Sequence, residues 1–166
     1  MLKTSSQPRT GRYCRSGSVR TDLSEKNWVA TDEGAHLRNR RTRNTGPEMK
    51  LRSAVHELGL RFRLHRRVVG RCTPDFVLPR WRVAVFVDGC FWHGCPEHSP
   101  RQFKGPNKTR WEEKLAANRL RDSRNNRLLV DAGWRVIRIW ECEIRTDVDE
   151  AAARVAELAR GPQAAD

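Results

Sequence analysis

Two acids stand beside neighbouring apolar runs and could bind a hard metal ion. Asp75 precedes the run 76–78, and Asp88 follows the run 83–87. Carboxylates at the ends of adjacent strands suit Mg²⁺, which prefers octahedral oxygen ligands and keeps several waters. Such a cation assists phosphodiester hydrolysis by polarising the phosphoryl oxygen and activating water. For this spacing taken by itself, aspartates that only cap turns are the alternative.

A set of sulfur and imidazole groups follows the second acid. Cys90, Cys95 and His98 lie close together in the chain, and Cys142 follows a later apolar run. Thiolates and imidazoles at such spacing suit a tetrahedral structural zinc site. His93 could compete with His98 for the fourth position. It could also serve as a general base or acid, because imidazole titrates near neutral pH.

Phe91 and Trp92 are consecutive aromatic residues in the same polar segment. Two adjacent side chains in a loop cannot both face the core, so we expect at least one of them to be exposed. An exposed aromatic ring could stack on nucleic acid bases or wedge between them. Simple packing is the alternative, and it fits best if only one ring is buried.

The charge of the chain predicts a polyanionic partner. The 166 residues carry a formal net charge of +13, and 27 of the 33 basic residues are arginines. Arginine offers paired donors to phosphates and base edges, so nucleic acid is the leading partner. An RNA-binding structural protein or a solubilising surface would show a similar balance. The sequence lacks a long apolar run and a secretory signal, so we expect a cytoplasmic, nucleoid-associated protein without a membrane partner.

These residues need a scaffold, and the hydrophobic periodicity predicts an α/β layer arrangement. Thr45 as N-cap and Gly59 as stop bracket the first helix. The predicted order is a helix over 45–58, strands over 60–64, 75–78 and 81–87, a helix over 108–132, a strand over 134–140 and a helix over 147–160. The strand 81–87 is almost wholly apolar and is expected at the centre of the sheet.

The domain organisation follows from composition. We expect residues 1–33 to form a disordered basic arm, because they bury too little apolar surface to offset the ordering entropy. Residues 34–160 should form one domain, and residues 161–166 a disordered tail.

Ordered blocks of the chain resemble the very short patch repair (Vsr) family of DNA mismatch endonucleases. The resemblance runs from about Leu37 to Ile144. Its main blocks are Thr45-Gly46-Pro47-Glu48, Pro74-Asp75-Phe76, Val87-Asp88-Gly89-Cys90-Phe91-Trp92-His93, Trp111 with Lys114, Asn118 and Asp122, and Gly133-Trp134-Arg135-Val136 with Trp140-Glu141.

The resemblance implies a restriction-endonuclease-like α/β fold, with a mixed central sheet flanked by helices and a structural zinc site. It implies Mg²⁺-dependent nicking of one strand of double-stranded DNA, 5′ to the T of a T:G mismatch left by deamination of 5-methylcytosine. That nick starts very short patch repair, and family members often accompany a cytosine-5 DNA methyltransferase. We expect a monomer.

The resemblance also implies catalytic roles. Asp75 is the principal Mg²⁺ ligand, and the carbonyl of Val87 is a second. His93 is a general base or proton relay, and Glu48 positions it or the metal-bound water. Asp88 stands where the best-known family pattern has a histidine, so it could be a direct metal ligand.

Further roles concern DNA and zinc. Phe91 and Trp92 resemble an aromatic wedge that enters the DNA beside the mismatch. The other implied DNA contacts are Leu37, Lys114 and Asn118. Arg38 is a candidate for a different reason: the run 36–44 carries four arginines, a pattern that suits a phosphate backbone, and a solvated charged loop is the alternative. The zinc ligands Cys90, Cys95, His98 and Cys142 form a Cys/His mixture that differs from the best-known one, so His98 is the ligand left open.

Two other functions are compatible with the sequence. One is a DNA-binding protein that has kept the fold without the chemistry, and the presence of Glu48, Asp75, Asp88 and His93 argues against it. The other is a related nuclease with a different target, in phage defence or general mismatch cleavage, because a fold does not fix its substrate.

Overall fold

The computed structural model describes residues 29, 41–99 and 102–162. Its elements in chain order are α1 (Gly46–Glu57), β1 (Arg63–Leu64), β2 (Phe76–Leu78), a 3₁₀ turn (Pro79–Trp81), β3 (Val83–Asp88), α2 (Cys90–His93), α3 (Lys108–Asp131), β4 (Arg135–Trp140), α4 (Glu141–Thr146) and α5 (Val148–Arg160). Apart from Val29, the predicted arm lies outside the described residues, as do Leu37, Arg38 and residues 163–166 of the predicted tail. In the part of the chain that the structure describes, no helix has the length and apolar character to cross a membrane.

Four strands form one mixed sheet in the order β1-β2-β3-β4. The pairs β1–β2 and β2–β3 are antiparallel, whereas β3 and β4 run parallel from the pair Val83–Arg135 to the pair Asp88–Trp140. A parallel pair requires a crossover connection, and the segment that carries α2 and α3 supplies it. β3 lies between β2 and β4 and is buried apart from half-buried Val87. The prediction of a central strand is therefore confirmed.

Helices cover both faces of this sheet. Alternate side chains of a strand point to opposite faces, so β3 contributes to two apolar clusters. On one face α1 and α5 pack on the sheet, in a core that includes Leu51, Val55, Phe76, Val83, Val85, Ala152 and Val155. On the other face α3 contributes Leu129, which packs with Val77, Ala84 and Phe86. The expected mixed α/β arrangement of helices around a sheet is confirmed.

Three short elements differ from the sequence prediction. Residues 90–93, expected in a loop, form the helix α2, and residues 141–146 form the helix α4. Segments of four to six residues span too few positions to show a helical period. The predicted strand 60–64 is reduced to Arg63 and Leu64, and both are exposed at the edge of the sheet.

Candidate active site

An open cleft lies beyond the end of β3, between α1, α2 and α3. The structure brings most of the predicted site residues together along its walls, namely Glu48, Asp75, Val87, Asp88, Trp92, His93, Lys114 and Asn118. The basic side chains of Arg71, Arg110, Arg121 and Arg145 line the same cleft. The cleft is therefore lined by both acids and arginines, as a site for a metal ion and a phosphate-bearing substrate requires.

Asp75 directly precedes β2, and its side chain reaches across to β3. The backbone N–H of Val87 donates to Oδ2 of Asp75 at 2.8 Å. Burial raises the pKa of Asp75 to about 6, the hydrogen bond from Val87 opposes this rise, and the nearby charge of Glu48 adds to it. A negative charge at Asp75 is thus poorly solvated and lies beside other acids, and a bound cation would offset both costs.

Glu48 is buried in the first turn of α1, and three donors fix its carboxylate. Arg52 Nη2 donates to it at 2.8 Å, the backbone N–H of Asn44 at 2.9 Å and the hydroxyl of Thr45 at 2.9 Å. Thr45 occupies the predicted N-cap position, but its side chain does not cap the helix and binds Glu48 instead. Glu48 is therefore a rigid acid next to Asp75.

His93, the last residue of α2, is paired with an acid on α3. Its Nδ1 lies 2.6 Å from Oδ2 of Asp122 and 3.6 Å from Oδ1 of Asp88. Burial alone would raise the pKa of Asp122, but the hydrogen bond with His93 and the charge of Arg138 outweigh it and lower that pKa. An ionised acid that holds one ring nitrogen fixes the tautomer and orientation of a histidine.

Arg138 of β4 connects the two acids beside His93. Its Nε and Nη2 donate to the two carboxylate oxygens of Asp88 at 2.6 and 2.7 Å, and Nη2 lies 3.3 Å from Oδ1 of Asp122. Neither Asp122 nor Arg138 received a role from the sequence. Asp122 stood in a block of family resemblance, and Arg138 was visible as a charge within a strand rich in β-branched residues. Both signals were available without the structure.

The aromatic residues of α2 belong to a larger cluster. The ring centroids of Phe91 and Trp92 are 5.1 Å apart, and both rings contact Trp111 of α3. Phe103 adds a fourth ring, 6.1 Å from Phe91, and the ammonium of Lys114 lies 5.3 Å from the centre of Trp92. Phe91 and Trp92 are both half-buried, so each keeps an accessible surface while it packs. The sequence does not predict that Phe103 belongs to this aromatic cluster.

Asn118 is connected to the same cluster through the backbone. Its side-chain amide donates to the carbonyl of Trp92 at 2.9 Å, and Asn118 lies one helical turn beyond Lys114 on α3. The two residues therefore face α2 together. Their predicted contact with a mismatched pair stays a prediction.

Three thiols and an imidazole form a compact cluster behind α2. One ligand atom from each of Cys90, Cys95, His98 and Cys142 lies within 4.8 Å of all the others, so together they could hold a metal ion. Cys95 Sγ is 3.6 Å from His98 Nδ1 and 3.9 Å from Cys142 Sγ. The cluster includes His98, whereas His93 faces Asp122.

Comparison with known proteins connects this site to a family. A family model described as DNA mismatch endonuclease Vsr matches residues 30–98. The type II nicking enzyme V.XorIIP of Xanthomonas oryzae is 44% identical over 121 residues, which cover 71% of this chain and 85% of that protein. DNA mismatch endonuclease Vsr of Escherichia coli is 40% identical over 121 residues, which cover 69% of this chain and 74% of that protein.

A solved structure was also found to be similar. The catalytic domain of the homing endonuclease I-Bth0305I aligns with a TM-score of 0.46 at 22% identity, over 69% of this chain and 94% of that domain. The extent and identity of the sequence matches are decisive for the family. The chain belongs to the Vsr family of DNA mismatch endonucleases, and it is a DNA endonuclease.

Proposed function

We propose that this endonuclease nicks one strand of double-stranded DNA, 5′ to the T of a T:G mismatch, in a Mg²⁺-dependent reaction that starts very short patch repair. Membership of the Vsr family supports the nicking of DNA, and the relative from Escherichia coli, a DNA mismatch endonuclease, supports a mismatch as target. One observation carries the proposal: Asp75 and the His93–Asp122 pair share a cleft lined by arginines. The proposed architecture is the restriction-endonuclease-like one.

The donor set in the cleft fits Mg²⁺. A carboxylate has about four lone-pair positions, so Asp75 can accept the N–H of Val87 and still bind a cation. The carbonyl of Val87 is the second proposed ligand. Bound there, Mg²⁺ would polarise a phosphoryl oxygen and favour ionisation of a water molecule. A direct bond from Asp88 stays a prediction that requires its ion pair with Arg138 to open.

We assign the transfer of the proton to His93. Nδ1 is engaged by Asp122, so Nε2 is the nitrogen that would accept a proton from the water that attacks phosphorus. Glu48 would orient that water, because its carboxylate is buried, held by three donors and close to Asp75. Glu48 belongs to α1, His93 to α2 and Asp122 to α3, and the cleft brings the three helices together.

The cysteine cluster fits structural zinc. The separations of 3.6 and 3.9 Å from Cys95 Sγ match the edges, roughly 3.5–3.8 Å, of a tetrahedron with Zn–S near 2.3 Å and Zn–N near 2.0 Å. Bound zinc would connect α2 to the start of α4, where Cys142 lies. A second link is present in the protein alone, since Glu141 Oε1 accepts the backbone N–H of Cys90 at 3.0 Å.

The proposed DNA contacts surround the catalytic groups. Phe91 and Trp92 would wedge beside the mismatch, since both rings are half-exposed and supported from behind by Trp111. Lys114 and Asn118 would meet the mismatched pair. Leu37 and Arg38, outside the described residues, are further proposed contacts.

The proposed setting of the enzyme follows from its substrate. It would work as a monomer at the nucleoid, with a functional link to a cytosine-5 DNA methyltransferase whose product generates the T:G lesion on deamination. Deletion of such a methyltransferase should remove the mutational phenotype of losing this enzyme, because no lesion would then arise at methylated sites.

The function is tested with labelled duplexes that carry one mismatch in randomised flanking sequence. With Mg²⁺ we expect one nick, 5′ to the T, in the T:G duplex, and no comparable cut in G:G, T:T or fully paired duplexes. Sequencing of the nicked fraction gives the preferred flanks. Equal cutting of paired and T:G duplexes would contradict mismatch specificity and support the alternative of a nuclease with another target. Binding without any cut would support a DNA-binding protein.

We expect Asp122→Asn to slow nicking about 10- to 100-fold. The amide keeps the shape of Asp122 but loses the charge that pairs with His93 at 2.6 Å. DNA affinity should stay within about threefold, because Asp122 acts through His93 and not through the DNA. Single-turnover rates and binding titrations separate the two quantities. Exposed Asp131→Asn on the same helix is the matched control.

A further inference from the structure

Arg138 is an unusual residue for its place in the fold. It lies in β4, opposite Phe86 of the buried strand β3 in the register of the parallel pair. Its guanidinium carbon lies 4.7 Å from the centre of the Phe86 ring, and Nη1 donates to Asn126 Oδ1 at 3.1 Å. The guanidinium is thus held by the ring of Phe86, by the amide of Asn126 and by two acids, Asp88 and Asp122.

The two acids that Arg138 binds are the acids nearest to His93 Nδ1. Asp122 lies 2.6 Å from that nitrogen and Asp88 lies 3.6 Å from it. The side chains of Asp88, Asp122 and Arg138 are only 6%, 16% and 20% exposed, so water screens their charges weakly. Two carboxylates this close repel each other unless a cation lies between them, and Arg138 supplies that cation.

The geometry at Asp88 differs from the geometry at Asp122. Arg138 binds Asp88 with two parallel bonds of 2.6 and 2.7 Å, the paired arrangement that guanidinium and carboxylate favour. Its approach to Asp122, at 3.3 Å, is longer, and Asp122 keeps its short bond for His93. Arg138 therefore draws Asp88 away from the imidazole and leaves Asp122 as its partner.

Stabilisation of the fold is a weak explanation for this ion pair. Replacement of a buried ion pair by apolar residues of similar volume is often neutral or stabilising. The apolar neighbours Val136, Ile137 and Ile139 show that β4 accepts such residues.

We propose that Arg138 is a positioning residue for the nicking reaction: it holds Asp88 and Asp122 so that a single acid orients His93, and Asp88 acts through Arg138 and not as a metal ligand. The inference rests on the proposed function for its effect on rate. The orientation of His93 can be observed without DNA or Mg²⁺.

The first test uses nitrogen NMR of the histidine rings in the whole protein, recorded in alkaline buffer. The unmodified protein should show His93 as one tautomer with hydrogen on Nδ1. Arg138→Met, which keeps a long apolar stem on Phe86, should give a mixture of tautomers, and Arg138→Lys should restore most of the single form. An unchanged His93 signal in Arg138→Met would overturn the proposal.

The second test is a cycle of Asp88→Asn, Arg138→Met and the double variant, measured as single-turnover nicking. We expect each single change to slow nicking about 10- to 50-fold, and the double variant to be within about threefold of Arg138→Met, because residues that act as one unit are not additive. The Mg²⁺ concentration for half-maximal rate should be unchanged in Asp88→Asn. A tenfold rise in that concentration, with multiplicative rate losses, would make Asp88 a metal ligand and overturn the proposal.

Controls separate positioning from folding and from a wrong substrate. Arg135→Met removes an arginine of the same strand whose donors bind the carbonyls of Trp81 and Ala159, away from the cleft. It should lower the melting temperature without the change in His93 tautomer. If no mismatched duplex is nicked by the unmodified protein, the proposed function fails, whereas the NMR result still decides the role of Arg138.

Discussion

Replacement of Asp75 by asparagine should abolish nicking and at the same time make the metal-free protein more stable. Loss of the proposed principal Mg²⁺ ligand should lower the single-turnover rate on the order of a thousand-fold. The gain in stability follows from burial, which raises the pKa of this carboxyl from 3.8 to about 6. Between these two values the folded chain binds more protons at Asp75 than the unfolded chain does. The free energy of unfolding therefore falls as pH rises through this window.

The measurement is urea unfolding at pH 7.5 without divalent ions. Asp75→Asn has no charge to bury, so we expect it to exceed the unmodified protein by about 1–2 kcal/mol. The difference should shrink as pH falls from 6 towards 3.8, and it should vanish only below 3.8, where Asp75 is protonated in both states. Mg²⁺ should stabilise the unmodified protein and leave Asp75→Asn unaffected. A variant that is less stable at every pH, or one that still nicks, would contradict the assignment of Asp75. Asp131→Asn, an exposed neutralisation, should change neither property.

The second large effect is expected at the cysteine cluster. Cys142→Ser removes one of the four proposed zinc ligands, and we expect the zinc content to fall from a proposed one per chain to near zero, with a loss of about 4 kcal/mol or more in unfolding free energy. Nicking should be lost as well, because Cys90 and His93 belong to the same short helix. Elemental analysis of the purified protein, thermal melting and the nicking assay give the three readouts.

Cys72→Ala is the matched control for that experiment. Cys72 is a buried thiol in the apolar cluster that α3 covers, and it does not belong to the cysteine cluster. Its replacement should cost some stability through lost packing, while zinc content and nicking stay unchanged. Full zinc content in Cys142→Ser would remove Cys142 from the site, and copurification of another metal would change the proposed ion.

The parts of the fold that the sequence predicted are those with a strong local signal. The strand 81–87 could be placed at the centre of the sheet because nearly every residue is apolar, and the long helix could be placed from its length and its glycine stop. The helix α2 was not predictable, because four residues carry no period and tertiary contacts with α3 define it. Thr45 shows the same limit: its type indicated an N-cap, but a buried acid nearby competes for its hydroxyl.

The sequence likewise predicted some residues of the candidate site and left others undetermined. Ligand chemistry indicated Cys142 from a distance of 47 residues, because thiols and imidazoles that suit zinc are few in this chain. The choice between His93 and His98 depended on the direction in which each ring leaves the turn after β3, and the sequence left it open. The ion pair of Arg138 with Asp88 depends on the parallel register of β3 and β4, which brings together two residues that lie 50 positions apart in the chain. No local sequence pattern predicts a contact of this kind.

Because α2 has only four residues, it should tolerate insertions and deletions poorly. One residue of the cysteine cluster, Cys90, begins that helix, and His93 ends it, with Phe91 and Trp92, the proposed DNA wedge, between them. One inserted or deleted residue rotates everything that follows in a helix by about 100°. Such a change inside residues 90–93 would separate the cysteine cluster, the proposed wedge and the proposed proton acceptor at once. Because Cys95 and His98 of the same cluster follow α2 directly, variation in length should be confined to the part of the connection between His98 and α3, and a designer who wishes to alter target recognition should work there.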